Sequence, residues 1–481
     1  MPGSFEEFDD SAWDYGDKIF QDWKQALQTS DTYKSIAEAT KEHSMAIATE
    51  ILPPIKGAFN VVYRVDFVTG ASSAFRLSIP SYFDSGDEKI LAEVATMRYI
   101  ADKTSIPVPF VFHYGSKEKS PKKLGPFLIM EWIKHDCDMC EVLNAPDIRS
   151  PFLNPSIEQE KLLHMYGQMA DILLQLSLCE FTSIGSLGVE LEDEGGPDVA
   201  TRPLSLNISQ LGNFARVPPS QLPDRDKIFM SSTSYYSALA DMHLQQLSFQ
   251  RNQAVDSADN CRKKYIARQL FRKLARENRL TLEQFQSGPF KLWCDDLRPT
   301  NVLVDSEHRI VGVIDWEFSY AAPAEFSFSP PWWLLLTPPD DWEAGLDDWA
   351  THYEQRLHTF LHVLEEKESD FIQCGRMTAT DLLSRRMRES WTSGDFWVTY
   401  AARRTWAFDA IYWKFIDERF FGKNPSGDLT ERLALLPTAQ VEAMEGFVAR
   451  KMAEKEQQTL VDWYVPGAEL ELPPDILNVG I

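Results

Sequence analysis

The hydrophobic pattern of the chain changes period once, and that change sets the architecture. The stretch Asn60-Val61-Val62-Tyr63-Arg64-Val65-Asp66-Phe67-Val68 is β-branched and aromatic with period two, as a half-buried strand requires. Thr69-Gly70-Ala71-Ser72 supplies a turn, and Ala74 to Ile79 reads as the returning strand, stopped by Pro80. A helix is predicted from about Asp87 to Asp102, with Ile90, Val94, Met97 and Ile100 at helical spacing. Phe110 to Tyr114 and Pro126 to Ile133 complete a small antiparallel set. Beyond Ile133 the pattern is helical: Glu158 to Glu180 carries a stripe of Leu162, Met165, Met169, Ile172 and Leu176. Two helices are predicted over Ser232 to Asn278, and more over 341–460. Loops are expected at Gly195-Gly196-Pro197 and Val217-Pro218-Pro219. One exception interrupts the helical part. Leu303-Val304-Asp305 and Ile310 to Ile314 read as short strands around a Ser306-Glu307-His308 turn.

The expected fold is therefore α+β and two-lobed. A helical extension at 1–50, with Asp31-Thr32 capping a helix through Ser44, precedes a small antiparallel β-sheet N-lobe at 51–134. A large, mainly helical C-lobe fills 135–481. A cleft between two lobes is a natural ligand site.

Charge narrows the partners. Forty-eight basic residues face 72 acidic ones, a net charge of −24, which repels nucleic acid and anionic membranes. That field suits a cationic or neutral small substrate, and equally suits plain solubility. Six cysteines in 481 residues imply no disulfide framework, and Cys137-Asp138-Met139-Cys140 is a lone CxxC without a second pair. The first twenty residues are acidic and aromatic, with neither an apolar signal core nor an Arg-rich face. A cytosolic location is the expectation. Trp332 to Leu336, the most apolar short run, is too short to span a bilayer.

Chemistry concentrates at the apolar hairpin. Phosphoryl transfer needs a base or orienter for the attacking hydroxyl, oxygen ligands for Mg²⁺ and cations for the phosphates. Asp296-Leu297-Arg298-Pro299-Thr300-Asn301 offers a carboxylate and, five residues on, an amide oxygen. The following strands deliver Ile314-Asp315-Trp316-Glu317. Asp295 adds a second carboxylate, and the residues alone leave open which of the two serves. Arg298 either neutralises transferred phosphate or pairs with Asp295.

Asp296-x4-Asn301 followed by Ile314-Asp315-Trp316 resembles the aminoglycoside phosphotransferase and choline kinase-like family, over roughly residues 55 to 335. Leu292 to Pro299, Gly312 to Phe318, Ser329 to Leu336 and Ser390-Trp391 to Trp397 further resemble an uncharacterised fungal branch, to about residue 422. The resemblance implies a protein-kinase-like fold and an ATP- and Mg²⁺-dependent kinase acting on a hydroxyl of a small molecule. It implies Asp296 as the catalytic carboxylate, with Asn301 and Asp315 as the Mg²⁺ ligands. It also implies Gly57-Ala58-Phe59-Asn60 as the nucleotide loop, Arg76 as the phosphate cation paired with Glu93, and backbone atoms near Glu131 and Ile133 as the adenine contacts. Four positions depart from the family pattern. Cys294 replaces a His, Asp295 replaces a Gly, Arg76 replaces a Lys, and the nucleotide loop has the single Gly57. Arg keeps the phosphate-binding role, being always charged and able to bind bidentately. The Cys294 and Gly57 departures leave a second reading open, a catalytically weak kinase-like binding or scaffold protein.

Other clusters are read as structural. His358 and His362 lie i, i+4 on a predicted helix among acidic and basic neighbours, without a third zinc ligand. Arg262-Lys263-Lys264 with Arg268 and Arg272 reads as a charged helix face. Trp332, Trp333, Trp391, Trp397 and Trp406 serve either the core or an acceptor pocket.

Overall fold

The computed structural model describes residues 8–83, 85–148, 150–188, 197–380 and 382–462. The expected Gly195-Gly196 turn lies outside them. The chain opens with two helices, α1 (Asp10–Leu27) and α2 (Ser30–Ser44). The side chain that caps α2 is Thr29, which accepts from Thr32 N, rather than Asp31 or Thr32. Thr29 stands one residue before the helix, where its hydroxyl reaches an N–H left free by the first turn.

Strands β1 (Ala48–Ile51), β2 (Ile55–Lys56), β3 (Asn60–Phe67) and β4 (Ser72–Ser78) follow, then α3 (Gly86–Lys103), β5 (Val111–Gly115) and β6 (Phe127–Glu131). They form one antiparallel sheet in the order β1-β3-β4-β6-β5, with β2 on β3. Alternation decides what each face meets. Val61, Tyr63, Val65, Phe75, Leu77, Phe127 and Ile129 pack on Phe20, Leu27 and Ile36 of α1 and α2. Ala74, Leu128 and Met130 join Ile90, Val94 and Met97 of α3. The sheet is covered on both sides, so β4 is buried almost throughout.

The C-lobe begins with β7 (Cys137–Asp138), α4 (Met139–Leu143) and α5 (Gln159–Ser177). Short strands β8 (Glu180–Phe181), β9 (Ser186–Gly188) and β10 (Asp198–Thr201) lead to α6 (Leu206–Phe214), α7 (Ser232–Phe249) and α8 (Ala258–Arg276). Then come β11 (Phe290–Cys294), β12 (Val302–Val304), β13 (Ile310–Val313), β14 (Ser319–Ala322) and α9 (Ala324–Phe328). Helices α10 (Leu346–Gln373), α11 (Leu383–Ser393) and α12 (Asp395–Arg403) pack over them, and a late helix covers Thr438–Gln457. The predicted hairpin is present: Val302 pairs with Val313 and Leu303 with Gly312. Pattern reading missed β8 and β11, which form a sheet β14-β11-β8 beside the sheet β13-β12-β7.

The basic helix α8 spends its charge on its neighbours. Arg262 pairs with Asp259 and Glu445, Arg268 with Asp409, and Arg272 with Asp241. Among the described residues no helix is long and apolar enough to cross a membrane.

Glu325 of α9 gives this core a measurable pH signature. Its Oε1 accepts from Leu282 N at 2.8 Å, while Oε2 is buried without a hydrogen-bond partner. Burial pushes the carboxyl up to about 7. A raised acid favours folding while protonated, so its contribution is complete below the ordinary value and is lost as pH rises towards 7. Glu325→Gln keeps the acceptor without the charge. In denaturant titrations it should match the wild type near pH 4 and exceed it at pH 8 by on the order of 1–3 kcal/mol.

Candidate active site

Two loops cross between the same two small sheets. One, residues 295–301, runs from β11 to β12; the other, 314–318, runs from β13 to β14. Because β12 pairs with β13 and β11 with β14, the loops are held side by side at both ends. A direct bond joins them: Ile314 N donates to Asn301 O at 2.9 Å. The side chains of Asn301 and Asp315 are thereby brought to one place. Asp315 has φ +66, a left-handed backbone that Asp tolerates better than most residues, at the point where the chain leaves β13. Asp315 keeps 33% of its side chain exposed, whereas Glu317, two residues on, keeps 2%.

The adjacent carboxylates Asp295 and Asp296 have separate environments. Asp295 is buried, and its oxygens accept from Trp293 Nε1 at 2.8 Å, Leu206 N at 3.1 Å and Tyr320 Oη at 3.3 Å. It thus anchors the first turn of α6, a favourable place for a negative charge. Asp296 faces the cleft. Asn301 Nδ2 donates to its backbone oxygen at 2.9 Å and to its Oδ2 at 3.2 Å, and Arg298 Nε lies 3.0 Å from its Oδ1. Arg298 pairs with Asp296 and not with Asp295. Burial pushes the Asp296 carboxyl above its ordinary value, against the pull of Arg298 and Asn301. Cys294, in the place of the expected His, is buried in β11, and burial pushes its thiol well up. It offers no thiolate to the site.

The N-lobe contributes through a buried chain of alternating charge. Arg76 stands opposite Val62 on β4. Its guanidinium pairs with Glu93 of α3 through Nη2 and with Asp315 Oδ1 through Nη1 at 3.2 Å. One helical turn before Glu93, Lys89 reaches Glu317 Oε2 at 2.9 Å, and Asn60 Nδ2 donates to the same oxygen at 2.9 Å. Burial opposes the Glu317 charge, yet Lys89 and Arg76 hold its carboxyl below the ordinary value. Gly57 N donates to Asn60 O at 2.8 Å, closing a turn at the rim, and Phe59 sets its ring edge-on against Phe318 at 5.1 Å.

These groups border a cleft of about 1270 Å³. Gly57, Asn60, Arg76, Asp296, Arg298, Asn301 and Asp315 line it. Glu93 stands behind Arg76, fully buried. Glu131 and Ile133 are not among the lining residues; Met130 of the same strand is. Alternation explains this, since Met130 shares the α3 face of the sheet and Glu131 points the other way, its Oε2 accepting from Phe110 N at 3.3 Å. Ile133 packs its side chain against Gly312, where any Cβ would collide with it. Of the tryptophans, Trp332 lines the cleft, joined by Trp342, while Trp333 and Trp397 are core.

The residues present fit a hard divalent cation. The donors are oxygens only, and the amide oxygen of Asn301 is the end not engaged by Asp296. Burial pushes Asp315 up to about 7, with Glu317 adding to the rise. A carboxylate whose charge is so disfavoured gains most from a cation beside it. Among the described residues there is no group of three His, Cys, Asp or Glu that could hold a metal. Sequence reading missed Lys89, Glu317 and Arg404. The first two carried a signal, Lys89 by sharing a face with Glu93 and Glu317 by its place after Asp315.

The two aspartates should separate in a stability measurement. Asp295→Ala strands three buried donors and should cost about 3 kcal/mol in chemical denaturation. Asp296→Asn keeps the size and most contacts and should stay within about 0.5 kcal/mol of the wild type.

The family model described as "Phosphotransferase enzyme family" matches residues 51–364. "Altered inheritance of mitochondria protein 9, mitochondrial" from Debaryomyces hansenii is 27% identical over 333 residues, covering 60% of this chain and 50% of that protein. The protein of the same name from Komagataella phaffii is 28% identical over 145 residues, covering 29% and 22%. The chain thus spans half or less of the length of the curated relatives it matches. Among solved structures, a Plasmodium vivax ethanolamine kinase has a TM-score of 0.40 at 11% identity, covering 92% of this chain and 94% of that one. An amicoumacin kinase in complex with AMP-PNP and Ca²⁺ has 0.41 at 11%, covering 87% and 93%. The relatives' names overturn the expectation of a cytosolic location, since they are named as mitochondrial proteins. With two thirds of its length under the family model and the two-lobed, protein-kinase-like α+β fold around the cleft, the chain belongs to the phosphotransferase enzyme family.

Proposed function

We propose that the protein is an ATP-dependent small-molecule kinase that transfers the γ-phosphate to a hydroxyl of a small metabolite. The observation that carries this reading is the convergence of Asp296, Asn301, Asp315 and Arg76 on one cleft, with the two loops tied by Ile314 N to Asn301 O. A bound Mg²⁺ nucleotide supplies the phosphoryl donor and neutralises its charge. The chain's own residues do the rest. Asn301 and Asp315 hold the cation. Arg76, fixed in direction by Glu93, meets the phosphates, and the Gly57 to Asn60 turn covers them. Met130 and the backbone near Glu131 and Ile133 would hold the adenine. Asp296 accepts the acceptor's hydroxyl proton, and its raised pKa suits a group that must gain one. Arg298 holds that carboxylate in position.

The acceptor side is bordered by Asp340, Asp341 and Asp348 with Trp332 and Trp342. Carboxylates beside aromatic rings suit a hydroxylated molecule with a cationic centre. The location proposed with this activity is the mitochondrion, on the names of the curated relatives.

Thermal-shift and turnover assays test the assignment. Mg-ATP should stabilise the wild type and Asp296→Asn but not Asp315→Ala. ATP consumption, screened with amino alcohols, hydroxylated amines and sugars, should fall about 10²-fold or more in Asp296→Asn. A wild type indifferent to Mg-ATP, or an Asp296→Asn variant at full rate, refutes it.

A further inference from the structure

Arg404 enters the cleft from outside residues 51–364, the stretch the family model matches. It ends α12, with its backbone N bonded to Ala401 O. Its neighbour Arg403 is buried, with its guanidinium 4.5 Å from the Trp293 ring centre and Nη1 3.7 Å from Asp295 Oδ1. Two consecutive arginines therefore address two consecutive aspartates. Arg403 goes to the buried Asp295, and Arg404 lines the cleft that Asp296 faces. The Arg404 guanidinium lies over two rings, 5.6 Å from the centre of Trp332 and 5.7 Å from that of Tyr400. Tyr400 is itself fixed by donating its hydroxyl to Asp340. Stacking on two faces sets the plane of the guanidinium and so the direction of its donors.

A cation beside a catalytic carboxylate can steady the carboxylate or meet the group in transfer. Arg298 already fills the first role, 3.0 Å from Asp296. Arg404 stands elsewhere on the cleft wall, over Trp332 and over Tyr400, whose hydroxyl holds Asp340. Trp332 and Asp340 belong to the acceptor side, so the guanidinium is placed at the acceptor wall of the cleft that Asp296 faces.

We infer that Arg404 is a catalytic residue, supplied by the C-terminal helical region, whose guanidinium contacts the phosphoryl oxygens as the group passes from nucleotide to acceptor. This inference rests on the kinase reading above. In the step, the bond from the γ-phosphorus to the ADP oxygen breaks and ADP leaves with its electron pair. The acceptor oxygen bonds to phosphorus, and its proton goes to Asp296. Negative charge on the three equatorial oxygens is what an arginine fork stabilises, and such charge is greatest during transfer.

The test compares ground-state and transition-state ligands in the full-length protein. Mg-ADP alone reads nucleotide binding, Mg-ADP with aluminium fluoride mimics the group in flight, and Mg-ATP hydrolysis with water as acceptor reads the rate. Arg404→Ala should keep Mg-ADP affinity within about two-fold, weaken the aluminium fluoride complex about ten-fold or more, and slow hydrolysis about 10²-fold. Arg404→Lys, which keeps the charge without the fork, should fall between the two, and retained Mg-ADP binding reports that each variant is folded. Equal losses for Mg-ADP and its aluminium fluoride complex would mean that Arg404 only shapes the cleft, and overturn the inference. So would an Arg404→Ala variant with wild-type affinity for both. A wild type that binds no Mg-nucleotide brings down the kinase reading itself, a result distinct from either.

Discussion

The structure depends on one buried ionic chain. Arg76 and Lys89 from the N-lobe interleave with Glu93, Asp315 and Glu317, and Asn60 completes the set. Isolated charges in a protein interior are costly, and removing one partner leaves the others uncompensated. The arrangement therefore has to form as a whole. Asp315 and Glu317 belong to the C-lobe, while Arg76, Lys89 and Glu93 belong to the N-lobe. Satisfying the charges requires the two lobes to close on each other in one register. A second pair on the same helix, Glu88 with Arg202 of the C-lobe, reinforces that contact. Helix α3 is in this sense the hinge pin of the cleft.

The chain is also unbalanced, with three carboxylates against two cations. The excess negative charge falls on Asp315, the member that faces the cleft. Glu93 and Glu317 are enclosed by their partners, so the only place where further positive charge can enter is the cleft side of Asp315. The same interactions that fix the lobes thus leave a cation-seeking position beside Asn301. A link of this kind ties folding energetics to ligand chemistry without any residue set aside for binding alone.

Much of this was legible in the sequence, for identifiable reasons. The β3–β4 hairpin, helix α3 and the β12–β13 hairpin follow from strict hydrophobic period, and each came within a few residues. That Asp296, Asn301 and Asp315 would face one cleft was legible because they sit in a short stretch bounded by apolar strands. What stayed hidden depended on tertiary contact. Strands β8 and β11 are short and pair with each other and β14 across long intervals of chain, so no local period marks them. Asn60 opens the predicted strand, but no local signal marks its burial on Glu317. Alternation along β6 gives the cleft the side chain of Met130, which the sequence reading did not single out. Thr29 rather than Asp31 caps α2 because the cap belongs to whichever hydroxyl precedes the first turn, and both candidates stand within three residues.

Arg403 and Arg404 show how far apart the two kinds of information can lie. Neither has a local signal: an Ala-Ala-Arg-Arg helix end is a common way to meet a helix dipole. Their meaning comes from tertiary placement: Arg403 lies 3.7 Å from Asp295 and over the rings of Trp293 and Phe326, and Arg404 lines the cleft that Asp296 faces. Asp295 stands where the family pattern expects a glycine. A carboxylate there must be compensated, and Arg403, Trp293, Tyr320 and the α6 backbone supply the compensation. Once Arg403 is committed to that task, the next residue along α12 is carried to the cleft rim. The substitution at Asp295 and the presence of Arg404 in the cleft are on this argument one structural event, with the buried pair positioning the exposed one.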